Sequence, residues 1–184
     1  ALGEWGLREA CRTAATWPDD YAVSVNVSTV QFKVATLPDL VATVLAETDL
    51  HPSRLELEIT ESVLMKDRAS ALHTLNRLKA LGVRIVMDDF GTGYSSLSNL
   101  QSFPFDKIKI DRSFIGAIED DEAARSIIRA IVGLGRGLNL PVVAEGVETE
   151  AQRRMVADEG CPQAQGFLFG RPGSAPVFPE RSEA

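Results

Sequence analysis

The feature that most constrains this chain is its regular alternation of short β-type runs with helix-type runs. Strand-like segments lie at Tyr21–Ser28 ("YAVSVNVS"), Arg54–Thr60 ("RLELEIT"), Val83–Asp88 ("VRIVMD"), Phe105–Asp111 ("FDKIKID"), Pro141–Gly146 ("PVVAEG") and Gln165–Gly170 ("QGFLFG"). Helical spacing fills the gaps between them. Ala1–Thr16 carries Leu2, Trp5, Ala10, Cys11 and Ala14, and Pro18 ends it. Leu37–Thr48 tolerates Pro38 in its first turn. Arg68–Gly82 places Leu72, Leu75, Leu78 and Leu81 on one face, with Gly82 as the stop. A short helical connection runs through Leu97 and Leu100, a long helix from about Glu119 to Leu138, and another over Thr149–Gly160. Such alternation predicts parallel strands joined by helical crossovers, in an open doubly wound sheet or a (β/α) barrel. No GxGxxG follows the first strand, which disfavours the dinucleotide-binding fold.

The positions of the unusual polar residues go further. Asn26 lies near one strand end, Glu58 and Glu61 near the next, then Asp88 with Asp89, Lys109 with Asp111, Glu145 with Glu148, and Gln165. Six successive strands thus deliver acids, amides or a lysine at their carboxyl ends, where (β/α) barrels assemble their catalytic residues. The Asp88–Asp89 pair poses a question of its own. Neighbouring side chains on a strand point to opposite faces unless the strand is ending, and two close carboxylates repel. A metal ion or a lysine must hold them.

Asn26, Glu58, Asp88, Asp89 and Glu145 form an oxygen-only donor set, suited to Mg²⁺ or Mn²⁺ rather than structural zinc. His51 and His73 read as surface residues. The paired aspartates could flank and bridge two ions about 3.5–4 Å apart, a spacing used in phosphoryl displacement. Lys109 could orient an attacking water and stabilise phosphate charge, or it could form a Schiff base as in barrel aldolases. Surrounding carboxylates favour its protonated form and hence the electrostatic role. Lys107, beside Asp106, reads as the outward-facing lysine of this strand.

The 184 residues fit one domain, and a formal net charge of −7 argues against a clamp for polymeric DNA or RNA while leaving room for a small nucleotide. Cys11 and Cys161 lack metal-ligand spacing and read as reduced, buried thiols of a cytoplasmic protein. Nothing resembles a signal peptide or a membrane span.

The ordered motifs "SVNVS", "LELEITES", "DDFGTGYSSLSNL", "FDKIKID", "VVAEGVET" and "QGFLFGRP" resemble the EAL-domain phosphodiesterases of bacterial cyclic di-GMP signalling. The resemblance covers residues 1–172 and leaves 173–184 as a polar tail. It implies a TIM-like (β/α) barrel of the EAL type that hydrolyses cyclic di-GMP to linear pGpG with two Mg²⁺ or Mn²⁺ ions. By motif, Asn26, Glu58 and Asp88 would ligate one ion, and Asp88 would bridge to a second held by Asp89 and Glu145. Lys109 would position the water. Glu61 would hold the loop Phe90, Gly91, Thr92, Gly93, Tyr94, Ser95, Ser96, which in the family couples the site to a dimer interface. Asp111, Gln165 and Glu148 would support the metals or the substrate. The Glu-Ala-Leu motif and two strands expected before Ala1 are absent, so the chain reads as a fragment, inactive alone, of an active enzyme. The parent protein could carry regulatory or GGDEF-type domains and a membrane tether. The alternative is a non-catalytic cyclic di-GMP receptor or interaction scaffold on the same fold.

Overall fold

The computed structural model describes residues 2–32, 34, 36–64, 67–92, 97–173 and 178. Six strands form one parallel sheet in the order β1 to β6: Val23–Asn26, Leu55–Thr60, Arg84–Phe90, Lys107–Ile110, Val142–Ala144 and Gln163–Ala164. Each strand pairs with the next in sequence, so the sheet curls in one direction with β1 and β6 as its edges. The helices are α1 Leu2–Ala14, α2 Thr29–Phe32, α3 Leu37–Thr48, α4 Glu61–Leu64, α5 Arg68–Ala80, α6 Leu97–Ser102, α7 Arg112–Ala117, α8 Glu122–Leu138 and α9 Glu150–Asp158. This is the α/β architecture that the alternation predicts. None of the described helices is long and apolar enough to cross a membrane.

Strand periodicity sorts the side chains. Leu55, Leu57 and Ile59 of β2, Ile85 and Met87 of β3, and Ile108 and Ile110 of β4 are fully buried, and α5 and α8 cover this outer face. Burial of each such side chain contributes about 1.5–3 kcal/mol, so this layer is the main source of stability. The residues between them point inward, and apart from Val86 they are polar: Ser24, Glu56, Glu58, Lys107 and Lys109 line an interior cavity of about 180 Å³. Hydrophobic-out and charged-in is the reverse of the usual barrel interior, which branched apolar residues fill.

Three sequence expectations need correction. In α1 the buried stripe is Leu7, Cys11 and Ala14, whereas Leu2 and Trp5 are 80% and 63% exposed. Positions 7, 11 and 14 share one face at 100° per residue, and positions 2 and 5 fall on the opposite one. The long helix expected from Glu119 starts at Glu122, because Asp121 accepts the Ala123 N–H and caps it; α7 is a separate helix capped by Asp111. The last strand is Gln163–Ala164 rather than Gln165–Gly170. There the chain turns away: Gly166 (φ +155°) lies so close to Val147 that a Cβ would sit 2.2 Å from its carbonyl oxygen. Phe169 N then donates to Gly166 O and closes the turn. Elsewhere the periodicity holds. Leu75 and Leu78 are fully buried on α5, with Leu72 and Leu81 packed beside them.

Cys11 and Cys161 are both free and buried, as the composition implies. Burial pushes the Cys11 thiol from its ordinary 9.0 up to about 11. The folded chain therefore holds this proton more tightly than the unfolded one. The resulting stability is complete below pH 9 and is lost as the pH rises through 9 towards 11, by about 3 kcal/mol at most. Thermal melts of wild type and Cys11→Ala should show the wild-type advantage shrinking across that interval. A constant gap between the two would contradict the assignment.

Candidate functional site

The site is built on an irregularity in β3. Met87 pairs with Ile108 and Phe90 with Ile110, so Asp88 and Asp89 together stand opposite the single residue Lys109. Asp89 adopts φ +53°, a left-handed conformation that aspartate tolerates better than most residues. This β-bulge defeats the strict alternation of the strand and lets both neighbouring carboxylates address the same side. The sequence question about the paired acids thus has a backbone answer as well as an electrostatic one.

Lys109 supplies the positive charge. Its ammonium, 5% exposed, lies 2.7 Å from Glu58, 2.5 Å from Glu145 and 3.4 Å from Asp88. Burial opposes its charge, but the hydrogen bonds and charges of Glu145 and Glu58 outweigh that effect and raise its pKa above the ordinary value. These contacts favour the ammonium form over the free amine. Burial pushes Glu145 up to about 7, against the hydrogen bond and charge of Lys109, and Asp88 and Glu58 add to the upward push. Asp89 is raised by burial and by the charges of Asp88 and Asp111, with Lys109 opposing. One ammonium does not compensate four carboxylates.

The fit to a cation follows from this deficit. One oxygen each from Asp88, Asp89 and Glu145 lie within 4.8 Å of one another. Asp88 Oδ1 is buried, and its contact is the long 3.4 Å ion pair with Lys109, outside hydrogen-bond geometry. A buried carboxylate oxygen so weakly partnered is costly, and a hard divalent ion would satisfy it.

The remaining predicted residues are placed as follows. Asn26, exposed at the end of edge strand β1, stands in register beside Glu58. Glu61 is buried at the start of α4. Gln165 donates from Nε2 to Glu145 Oε1 at 2.5 Å and fixes that carboxylate. Asp111 caps α7; burial raises its pKa, but the Ser113 hydrogen bonds outweigh this and hold it below the ordinary carboxylate range. Asp111, Glu145, Glu148 and Asp89 line one open cleft of about 520 Å³. In the loop after β3, Phe90 is buried, Gly91 (φ +102°) has the Phe114 ring 2.8 Å from where a Cβ would sit, and Thr92 Oγ1 donates to Asp89 O. Gly93, Tyr94, Ser95 and Ser96 lie outside the described residues. His51 and His73 are exposed, away from these acids.

Sequence reasoning misplaced Lys107. It faces inward and binds both oxygens of Glu56 at 2.7 and 2.8 Å, with Ser24 and Arg84 also at that carboxylate. Asp106 instead binds Lys79 and the Ile85 N–H. The signal was available: residues two apart on a strand share a face, so Lys107 must follow Lys109 and Glu56 must follow Glu58. Arg112, Phe167 and Arg171, which also line the cleft, carried no such signal.

A curled parallel α/β sheet whose strand ends gather carboxylates around one lysine defines a (β/α)-barrel protein with an acidic mouth. Residues 1–172 match the family described as the EAL domain, and the chain belongs to that family. It is 59% identical over 177 residues to an uncharacterized signaling protein of Caulobacter vibrioides, covering 96% of this chain and 22% of that protein. It is 50% identical over 175 residues to the bifunctional diguanylate cyclase/cyclic di-GMP phosphodiesterase MucR of Pseudomonas aeruginosa, covering 93% of this chain and 26% of that one. The chain thus spans about a quarter or less of these relatives. The solved MucR phosphodiesterase in complex with c-di-GMP superimposes with a TM-score of 0.89 over 93% of this chain and 71% of that one, at 50% identity. A manganese/cy-diGMP complex of Klebsiella pneumoniae BlrP1 gives 0.81 at 29% identity, over 93% and 44%. Against these structures the six-stranded sheet is a partial barrel of the EAL type.

The inner ion pair can be tested on its own. Lys107→Met strips Glu56 of its main partner while leaving it buried, and should cost about 3 kcal/mol, the lower end for a broken buried pair because Arg84 remains. Adding Glu56→Gln should restore at least half of the loss in urea unfolding. A single variant as stable as wild type would show that the pair contributes nothing.

Proposed function

We propose that this chain forms the metal- and substrate-binding part of a cyclic di-GMP phosphodiesterase that yields linear pGpG. The observation that carries the reading is the convergence of Glu58, Asp88 and Glu145 on the single ammonium of Lys109, with Asp89 gathered beside Asp88 and Glu145. The likeness to the MucR phosphodiesterase supports it. Asn26, Glu58 and Asp88 would hold one Mg²⁺ or Mn²⁺, and Asp88, Asp89 and Glu145 a second. Bound there, the ions supply Lewis acidity at the phosphoryl group and an acidified water at neutral pH.

The chain's own residues do the rest. Lys109 is held by Glu58 and Glu145 in the middle of the acid set, where, in this reading, its charge helps to position the attacking water and to stabilise the phosphate oxygens. Gln165 restrains Glu145, and Asp111 places its charge beside Asp89. Glu61 opens α4, which packs against β3, and, in this reading, couples the segment after β3 and a second copy of the chain to the site. A receptor that binds the nucleotide without cleaving it would keep the cleft but would not require this buried acid set.

Asp88→Asn in the full-length protein should abolish turnover and weaken Mn²⁺ binding measured by calorimetry. Equal metal affinity in the variant would sink the reading. Lys109→Ala should lower the rate by about a hundredfold or more, the usual loss when one charge stabiliser is removed. Borohydride should trap no substrate adduct on the wild type, and a trapped imine would return the lyase alternative.

A further inference from the structure

The lower pair of inward charges, Glu56 and Lys107, takes no part in the proposed hydrolysis, yet it shares one interior cavity with Glu58 and Lys109. Four such groups can pair in two ways, and the strand register brings the unwanted pairing within reach. Glu58 stands beside Val86 and Val86 beside Lys107, so Glu58 and Lys107 occupy one row of the sheet. Neighbouring strands lie about 4.8 Å apart, which puts these two backbones roughly 10 Å apart with both side chains on the same face. A lysine and a glutamate together span that distance. Val86 between them is fully buried and offers no polar atom to intervene.

The observed pairs are displaced from the rows. Lys107 reaches back to Glu56 and meets its two oxygens at 2.8 and 2.7 Å, while Lys109 reaches back to Glu58 at 2.7 Å. Glu56 sets this offset. It is held within its own row, with Ser24 Oγ of β1 at 3.1 Å and the Arg84 guanidinium of β3 at 3.6 Å. Glu58 is different: among the described residues Lys109 is the one donor to its side chain. A carboxylate has about four acceptor sites, so Glu58 keeps capacity for a cation. The other polar side chains near Lys107 in the cavity, Ser24 and Gln163, are neutral. An ammonium that is only 23% exposed and deprived of Glu56 would have Glu58 as the carboxylate of its own row.

We propose that Glu56 is a positioning residue for the metal site: by taking Lys107, it keeps that ammonium off Glu58 and leaves the Glu58 carboxylate to Lys109 and a divalent ion. The inference rests on the proposed reading of Glu58 as a metal ligand and adds the residue that guards it. Two lysines on one carboxylate would neutralise it and occupy its lone pairs, and a metal ion would first have to displace an ammonium. Loss of a supporting partner of this kind lowers metal affinity by about 10- to 100-fold.

The test uses the full-length protein with Glu56→Gln, Lys107→Met and the double variant. Two readouts are taken: Mn²⁺ binding by calorimetry, and crystal structures without metal. Glu56→Gln should bind Mn²⁺ about 10- to 100-fold more weakly. Its structure should show Lys107 Nζ about 2.7–2.9 Å from Glu58. The double variant has no lysine to misplace and should recover the wild-type affinity. Lys107→Met should keep that affinity despite its lower stability, which separates positioning from a structural role. If Lys107→Met instead tightens Mn²⁺ by as much as Glu56→Gln weakens it, the effect is bulk charge and the proposal falls. Unchanged affinity in Glu56→Gln, or Lys107 turned to solvent in its structure, would also overturn it; wild-type hydrolysis of cyclic di-GMP would then leave the hydrolase reading intact. The expected pattern of affinities without any hydrolysis by the wild type would uphold the positioning role and overturn the hydrolase. A wild type that binds no Mn²⁺ would overturn both.

Discussion

The site depends on one cross-strand relation: Lys109 of β4 standing opposite the Asp88–Asp89 bulge of β3. Without the bulge, Asp89 would turn to the hydrophobic outer face, where an ionised carboxylate among Met87 and Ile108 could not be tolerated. Without the ammonium, Glu58, Asp88 and Glu145 would lie together buried and uncompensated. Each feature makes the other admissible. The same pairing keeps Lys109 protonated, the form that the proposed role in charge stabilisation requires.

The inward-facing charges form two tiers along the strands. Glu56 with Lys107, and Arg84 at 3.6 Å, lies towards the amino ends; Glu58 with Lys109 lies one pleat further on. The lower tier is close to electrically matched and well hydrogen-bonded, so it can remain as it is. The upper tier carries the surplus of negative charge, with Asp88, Asp89 and Glu145 gathered around one ammonium. That difference, rather than the presence of charge alone, separates a matched structural ion pair from an acid cluster able to accept a cation.

Around the acids, rigidity comes from short-range devices. Thr149 and Gln152 close a capping box at α9, with the Gln152 side chain also accepting the Glu148 N–H. Asp111 caps α7 at the cleft wall, and the Gly166 turn docks on Val147. Such caps each contribute about 1 kcal/mol, and here they also fix where Glu148, Asp111 and Gln165 begin. Stability and site geometry are served by the same hydrogen bonds.

The sequence by itself determined the parallel α/β class, the outer hydrophobic layer and the list of strand-end polar residues, because periodicity and strand-end position are local properties that survive in one dimension. It could also have assigned Lys107 and Glu56 to the inner face, since that follows from spacing by two. It could not reveal that Asp89 is a bulge residue, because a register shift exists only between two strands. Nor could it start α8 after Asp121 or shorten β6: a cap and a turn prevailed over apolar runs that fit longer elements equally well. The Arg171–Phe167 contact and the close approach of Gly166 to Val147 were likewise invisible, the latter because it joins backbone segments nineteen residues apart in the chain. Composition and pattern specify which faces are buried; tertiary contacts decide which charges meet.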